Sequence, residues 1–223
     1  MINAQFPHAP ALLPKGEGRA CAVNGSSTVY RSFEKHLAAI LLVVALTACS
    51  AKPQFELNDV TGAAFGRDFQ LVDQNGQKRA LADFKGKVVA VFFGYTYCPD
   101  VCPTTLGEYA MVAKELGADA SRLQVLFVTV DPERDTAAVL GKYVPAFNPS
   151  FLGLTGDPGT IERTAKEFKI FYQKQPLSDG SYTVDHTAGS YIYDPAGRLR
   201  LFASYGNGAP KLLHDIRLLL KGN

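Results

Sequence analysis

The chain has 223 residues, of which 47% are hydrophobic and 20% charged, so it can bury the core of a globular domain and is neither disordered nor fibrous. Its formal net charge of +2 arises within residues 1–48, which hold four basic and two acidic residues; the remainder carries 19 of each sign. A neutral remainder without a basic run offers no surface for nucleic acid, which we exclude as a partner.

The first part of the chain predicts an export signal over residues 1–48. A basic start precedes an apolar stretch from Leu37 to Leu46, which is shorter than the roughly 20 residues that a membrane-spanning helix needs. Residues 1–30 are rich in proline and glycine without periodicity, and we expect the true translation start to lie beyond them.

The end of this segment predicts a lipid anchor. The letters LTAC at residues 46–49 resemble the lipobox of bacterial lipoproteins, in which the signal is cleaved before a cysteine that then carries lipid. We expect lipidation at Cys49, a linker over residues 49–55 and a location on the periplasmic side of a bacterial membrane. The alternatives are an ordinary signal peptide and a membrane anchor in which the cysteine has no role.

Residues 56–223 are predicted to form one folded domain in which strands and helices alternate. Asn75-Gly76 predicts a type I′ turn within a hairpin over residues 67–84, because both residues accept positive φ. Apolar runs predict buried strands over residues 85–95 and 122–131. Further along the chain, the pattern predicts a second hairpin over residues 187–206 and helices over residues 103–117, 136–147 (broken near Pro145), 157–170 and 210–220. This order predicts the α/β class with one central sheet.

Two cysteines stand directly after the first buried strand, in the letters CPDVCP. Proline disfavours the helical conformation of the residue before it, so we predict that Cys98–Val101 is a loop and that Cys102 caps a helix beginning at Pro103. A thiol at a helix N-terminus is stabilised as the thiolate, which is the form that attacks disulfides and binds metals.

Four roles for the pair were compared. A structural disulfide would close so short a loop that it stabilises little. Haem attachment needs C-x-x-C-H and structural zinc needs four nitrogen or sulfur ligands; the domain offers neither pattern. Thiol–disulfide exchange and binding of a soft metal such as Cu(I) both remain, because two thiolates suit either.

A third ligand would distinguish these two roles, and the domain has two histidines. His214 lies in the last predicted helix, where a partly exposed surface position is expected. His186 lies in a polar break just before a predicted strand, and such a loop can face the loop that follows a neighbouring strand. Asp131, at the end of the strand over residues 122–131, reaches the same edge of the sheet.

The segments FFGYTYCPDVCPTTL, VLFVTVDPERDT, LTGDPGTI and VDHTAGSYIYDPAGRLRL resemble the Sco/SenC family of copper-binding assembly proteins, in the same order along the chain. The resemblance covers about residues 55–221. It implies a thioredoxin-like fold with a central mixed sheet, and one copper ion, Cu(I) or Cu(II), bound by Cys98, Cys102 and His186. It also implies a client, the dinuclear copper (CuA) site of cytochrome c oxidase subunit II or another copper protein.

The resemblance leaves the mode of action open between three hypotheses. A monomeric metallochaperone, not an enzyme, would deliver copper, whereas an exported thiol–disulfide oxidoreductase would use Cys98 and Cys102 as a redox-active disulfide on client cysteines. A copper or redox sensor would use the same ligands. Thioredoxin-type catalysts have a two-residue spacer and a facing cis-proline; here the spacer has three residues and no proline lies between Pro176 and Pro195, which favours metal handling.

Two carboxylates are candidates to support the site. Asp185 is adjacent to His186, and Asp131 lies at the same sheet edge, so either could orient the imidazole or tune its charge. An ordinary turn or strand-end carboxylate is an equally good interpretation of each.

Overall fold

The structure is a computed structural model that describes residues 54–222. The predicted signal segment, the lipidation site Cys49 and the first part of the predicted linker lie outside the described residues. Within residues 54–222, no helix is long and apolar enough to cross a membrane.

The described chain contains ten strands and four α-helices. The strands are β1 (Asn58–Asp59), β2 (Gln70–Asp73), β3 (Lys78–Ala80), β4 (Val88–Gly94), β5 (Leu123–Thr129), β6 (Leu152–Thr155), β7 (Tyr172–Pro176), β8 (Tyr182–His186), β9 (Gly189–Tyr193) and β10 (Leu199–Ser204). The helices are α1 (Val101–Leu116), α2 (Ala137–Tyr143), α3 (Pro158–Glu167) and α4 (Gly208–Leu220).

Eight strands form a central mixed sheet in the order β1-β10-β9-β4-β5-β6-β2-β3. Strands β4, β5 and β6 are parallel, and the other neighbours are antiparallel. Every residue of β4 and β5 is buried, as the uninterrupted apolar sequence of β4 and the largely apolar sequence of β5 predict. Helices α1 and α4 pack against each other and bury their apolar sides in the same core. The predicted α/β class, a thioredoxin-like fold with a central mixed sheet and an N-terminal hairpin, is confirmed.

Both predicted hairpins form, as β2–β3 and β9–β10, but the type of the first turn was predicted wrongly. Gly76 has a φ of +78°, whereas Asn75 does not have positive φ, so the turn is not type I′. The cause is Asp73, whose carboxylate accepts the backbone N–H groups of Asn75 and Gln77 at 2.8 and 3.0 Å. These bonds favour a three-residue loop in which glycine alone takes the left-handed conformation.

Four strands were not predicted. Strand β1 has only two residues, both exposed, so it gives no periodic signal. Strand β6 has only four residues and includes Gly153, so its signal is weak. Strands β7 and β8 pair only with each other and form a separate two-stranded sheet, the histidine hairpin. Most of β7 is exposed and polar, so no apolar alternation marks it. As a result, His186 is the last residue of a strand rather than part of a loop.

Candidate metal centre

Strand directions bring the cysteine segment and His186 to the same edge of the sheet. The cysteine loop, residues 98–100, lies between the end of β4 and the start of α1 at Val101, one residue shorter than predicted. Strand β9 is antiparallel to β4, with Ser190 opposite Phe92, so the chain enters β9 where it leaves β4. His186 lies just before β9 and therefore faces the cysteine loop, as the sequence predicts.

Three possible metal ligands meet at this edge. The sulfur atoms of Cys98 and Cys102 and a ring nitrogen of His186 all lie within 4.8 Å of one another. The Cys102 sulfur is 3.6 Å from Nε2 of His186. Cys102 is fully buried, whereas Cys98 and His186 are partly exposed, and both cysteines are free thiols. The group is thus open to solvent on one side.

Cys102 lies inside the first turn of α1, so the prediction that it caps a helix beginning at Pro103 was wrong. The helix begins at Val101, and Asp100 is its N-cap residue. Pro103 is then the third helical residue, where the missing N–H would have no partner within the helix in any case. A residue before proline usually prefers an extended conformation. Cys102 is helical nevertheless, because its packing in the core outweighs this preference.

The absence of a side chain at Gly94, the last residue of β4, makes room for the Cys102 sulfur. A Cβ atom at Gly94 would lie 2.7 Å from the sulfur and 2.9 Å from the ring of Phe127. Both distances are shorter than real Cβ contacts, and both neighbours are fully buried. The glycine therefore fixes where the inner sulfur can lie.

The two thiols differ in proton affinity, and in the opposite sense to the prediction. A hydrogen bond from the Cys102 thiol, supported by backbone N–H groups of Asp100 and Cys102, lowers the pKa of Cys98 to about 5. The same hydrogen bond, with burial, raises the pKa of Cys102 above its usual range. Cys98 rather than Cys102 therefore receives the N–H groups at the start of α1, and the pair holds one proton near neutral pH.

The imidazole of His186 is oriented by the backbone. Its Nδ1 lies 3.0 Å from the carbonyl oxygen of Thr187, which can only accept a hydrogen, so Nδ1 carries the proton in the neutral ring. Nε2 is then free to act as a ligand and is the atom that faces the sulfur of Cys102. The ring packs edge-on against Tyr95 at 5.9 Å and against Phe92 at 6.4 Å.

The two candidate supporting carboxylates bond to groups other than the imidazole. Asp131 is buried and accepts hydrogen bonds from the Arg134 side chain and, at 2.9 Å, from the Tyr182 hydroxyl. Asp185 lies on the exposed side of β8 and accepts from the Gln175 amide at 2.8 Å. The Thr187 carbonyl, rather than either carboxylate, thus accepts the hydrogen bond from Nδ1 of His186 and orients the ring.

A different carboxylate supports the segment that leads into the cysteine loop. Asp135 is fully buried and accepts from the backbone N–H of Thr96 at 3.0 Å, from the Thr96 hydroxyl at 2.5 Å and from the Thr129 hydroxyl at 2.7 Å. Burial raises the pKa of Asp135. Sequence reasoning did not single out this residue, although it lies in the DPERDT segment that contributed to the family resemblance.

Of the other two residues considered as sites, the structure describes only His214, which lies elsewhere. His214 is on α4, where its Nδ1 is 2.7 Å from the buried carboxylate of Asp215. It is not among the residues that meet at the metal centre. Cys49 lies outside the described residues.

Comparison with known proteins identifies the family. The model of the SCO1/SenC family matches residues 58–221. The mitochondrial SCO2 homologue of Bos taurus is 38% identical over 159 residues, a segment that covers 70% of this chain and 60% of the bovine protein.

Solved structures agree with this match. Bradyrhizobium japonicum ScoI with copper bound is 41% identical, with a TM-score of 0.65 over 70% of this chain and all of that one. Yeast Sco1 with copper bound is 30% identical, with a TM-score of 0.66 over 72% and 91%. The chain belongs to the SCO1/SenC family.

Proposed function

We propose that this protein is a copper metallochaperone that binds one copper ion through Cys98, Cys102 and His186. The observation that carries the proposal is the meeting of three ligand atoms within 4.8 Å, with Nε2 of His186 facing the sulfur pair. Two sulfurs and an imidazole suit Cu(I), which prefers soft ligands, and can also hold Cu(II). The copper-bound relatives support the choice of metal.

The copper is cargo, and we propose that its destination is the CuA site of cytochrome c oxidase or another copper protein. The partly exposed Cys98 and His186 give a receiving protein access to the metal. Membership of a family associated with oxidase assembly supports this client.

Anaerobic titration of the reduced protein with Cu(I) against a competing chelator tests the proposal. We expect one copper per chain, and a large loss of affinity in Cys98→Ser, Cys102→Ser and His186→Ala. His214→Ala is the matched control, because it removes the other histidine of the domain without touching the site. Tight stoichiometric binding that survives His186→Ala would contradict the three-ligand site.

A second candidate, reduction of a disulfide at the client's copper-binding cysteines, is favoured by the low pKa of Cys98. A thiolate there can attack a disulfide, and the neighbouring Cys102 can then displace the client and leave a Cys98–Cys102 disulfide. The Cys102→Ser variant should then trap a mixed disulfide through Cys98, and His186→Ala should retain the activity. Absence of any trapped adduct with a client bearing oxidised cysteines would exclude this candidate.

We propose that the protein is held on the periplasmic side of a bacterial membrane by a lipid at Cys49. The support is the sequence of the signal segment and its LTAC ending. In cells grown with labelled palmitate, the wild type should take up label and sediment with membranes, and Cys49→Ser should do neither. Membrane association of an unlabelled Cys49→Ser variant would point to another anchor.

A further inference from the structure

Within residues 54–222, the histidine hairpin has no strand neighbour in the central sheet. Its two strands, β7 and β8, pair only with each other. An isolated two-stranded hairpin is at best marginally stable in water. Apart from the two-residue connection from β8 to β9, its position relative to the cysteine loop therefore depends on contacts between side chains and the rest of the domain.

The inner face of β8 provides these contacts. Tyr182, Val184 and His186 alternate along the strand and share one side, with Val184 buried and Asp185 exposed on the other side. Tyr182, at the opposite end of β8 from His186, contacts Arg134. The Nη1 group of Arg134 donates to the carbonyl oxygen of Tyr182 at 2.9 Å, and the guanidinium carbon lies 3.6 Å from the centre of the Tyr182 ring.

Arg134 also contacts the segment that carries the cysteines. Its guanidinium carbon lies 4.7 Å from the ring centre of Tyr97, which directly precedes Cys98. Its Nε donates to the buried carboxylate of Asp131, to which the Tyr182 hydroxyl also donates. The guanidinium of Arg134 thus contacts three segments: Asp131 just after β5, Tyr182 of the hairpin, and Tyr97 just before the cysteine loop.

The arrangement leaves one donor of Arg134 without a partner. Among the described residues, its buried Nη2 has no hydrogen-bond acceptor. A buried, unsatisfied N–H group is destabilising. Hydrogen bonding alone therefore does not explain the position of the guanidinium. Contacts with the rings of Tyr182, Tyr97 and Tyr95, whose centres lie 3.6, 4.7 and 5.8 Å from the guanidinium carbon, account for it. A planar guanidinium can combine such contacts with hydrogen bonds at its edge.

We propose that Arg134 is a positioning residue for the copper site, which holds the histidine hairpin at the distance from the cysteine loop that lets His186 and the sulfurs share one ion. The inference rests on the proposed copper binding. Arg134 contacts none of the three ligands, so it acts through the two segments that carry them.

Arg134→Met and Arg134→Lys test the proposal, and Arg79→Met is the matched control. Arg79 also pairs with a buried carboxylate, that of Asp73 at 2.8 Å, but in the β2–β3 hairpin. We expect Arg134→Met to raise the copper dissociation constant about 10- to 100-fold, in the range seen when residues that orient metal ligands are lost. Arg134→Lys keeps the charge and should give a smaller increase, and Arg79→Met should give none.

Two further measurements separate positioning from general destabilisation. In the Cu(II) form, the nitrogen hyperfine coupling of the imidazole in the electron paramagnetic resonance spectrum should weaken in Arg134→Met and persist in Arg79→Met. In a His186→Ala background, Arg134→Met should have no further effect on copper affinity, because a residue that acts through His186 has nothing left to position. Unchanged affinity in Arg134→Met, or an equal effect with and without His186, would overturn the proposal.

A copper-free measurement keeps the inference separate from the proposed function. In the protein without metal, amide hydrogen exchange over Tyr182–His186 should accelerate in Arg134→Met and stay unchanged in Arg79→Met. Unchanged exchange would overturn the role of Arg134 while leaving copper binding intact. Failure of the wild type to bind copper would instead overturn the proposed function, and the positioning role with it.

Discussion

The two segments that carry the three possible ligands are held in different ways. The cysteines follow β4, whose residues are all buried, and Cys102 is packed against Gly94 within the core. His186 belongs to a hairpin outside the central sheet, in which Val184 is the only buried strand residue. The core therefore fixes the position of the Cys102 sulfur, whereas the Thr187 carbonyl and a few side-chain contacts of the hairpin fix the imidazole. A metal bound by all three side chains would link the rigid cysteine segment to the less firmly held histidine hairpin.

The largest expected difference between the two segments is in local stability. In the metal-free protein, we expect amide hydrogen exchange in β7 and β8 to be about 100-fold faster or more than in β4 and β5, because buried central strands open only with the whole domain. Exchange measured by mass spectrometry over peptides from both regions checks this. Equal protection would show that the hairpin is as firmly held as the core.

The next largest effect is expected at Gly94. Gly94→Ala should destabilise the domain by about 1–3 kcal/mol, because the added methyl group overpacks the core, and should weaken copper binding by displacing the Cys102 sulfur. Urea unfolding and copper titration measure the two effects. Gly107→Ala on α1 is the control: its added Cβ meets nothing within 4 Å, and it should stabilise by about 0.5–1 kcal/mol.

The asymmetry of the sulfur pair gives a pH-dependent prediction. Because the pKa of Cys98 is lowered to about 5, its thiolate should dominate above that pH, and its alkylation by iodoacetamide should fall as the pH drops through about 5. In Cys102→Ala the donating thiol is lost, so the midpoint should move upward toward the usual thiol range. Cys102→Ser keeps a hydroxyl donor and should move less. A midpoint that is the same in all three proteins would contradict the shared proton.

The smallest effect is expected on the exposed side of the hairpin. Asp185→Asn should change copper affinity by no more than about twofold, because the carboxylate accepts from Gln175 and faces away from the site. A larger loss, measured in the same competition titration, would show that the charge beside His186 matters despite its orientation.

Local signals in the sequence predict the strand before the cysteines and the presence of the helix after them. The apolar runs of β4 and β5 and Gly117 at the end of α1 are local features, but the prolines did not locate the start of the helix. The approach of His186 could also be predicted, because it follows from the order and direction of strands. The hairpin that carries it could not, since β7 is polar and exposed and is ordered by pairing with β8.

The relative proton affinities of the two thiols and the contacts around them could not be predicted from the sequence, for a different reason. A helix start two residues earlier than predicted moves Cys102 into the core and gives the N–H groups to Cys98, which reverses their proton affinities. Asp135 and Arg134 contact residues far from them in sequence, Thr96 and Tyr182, and neither contact leaves a local pattern.

The complete burial of Cys102 also determines from which side another molecule can reach the site. Any acceptor that takes the metal by exchanging ligands arrives from solvent and meets Cys98 and His186 first. If copper is bound and delivered as proposed, the bond to Cys102 would be the last to break, so the inner sulfur would hold the ion until the receiving ligands are in place. Handover would follow a fixed sequence of bond exchanges, and at no stage would the ion be released into water.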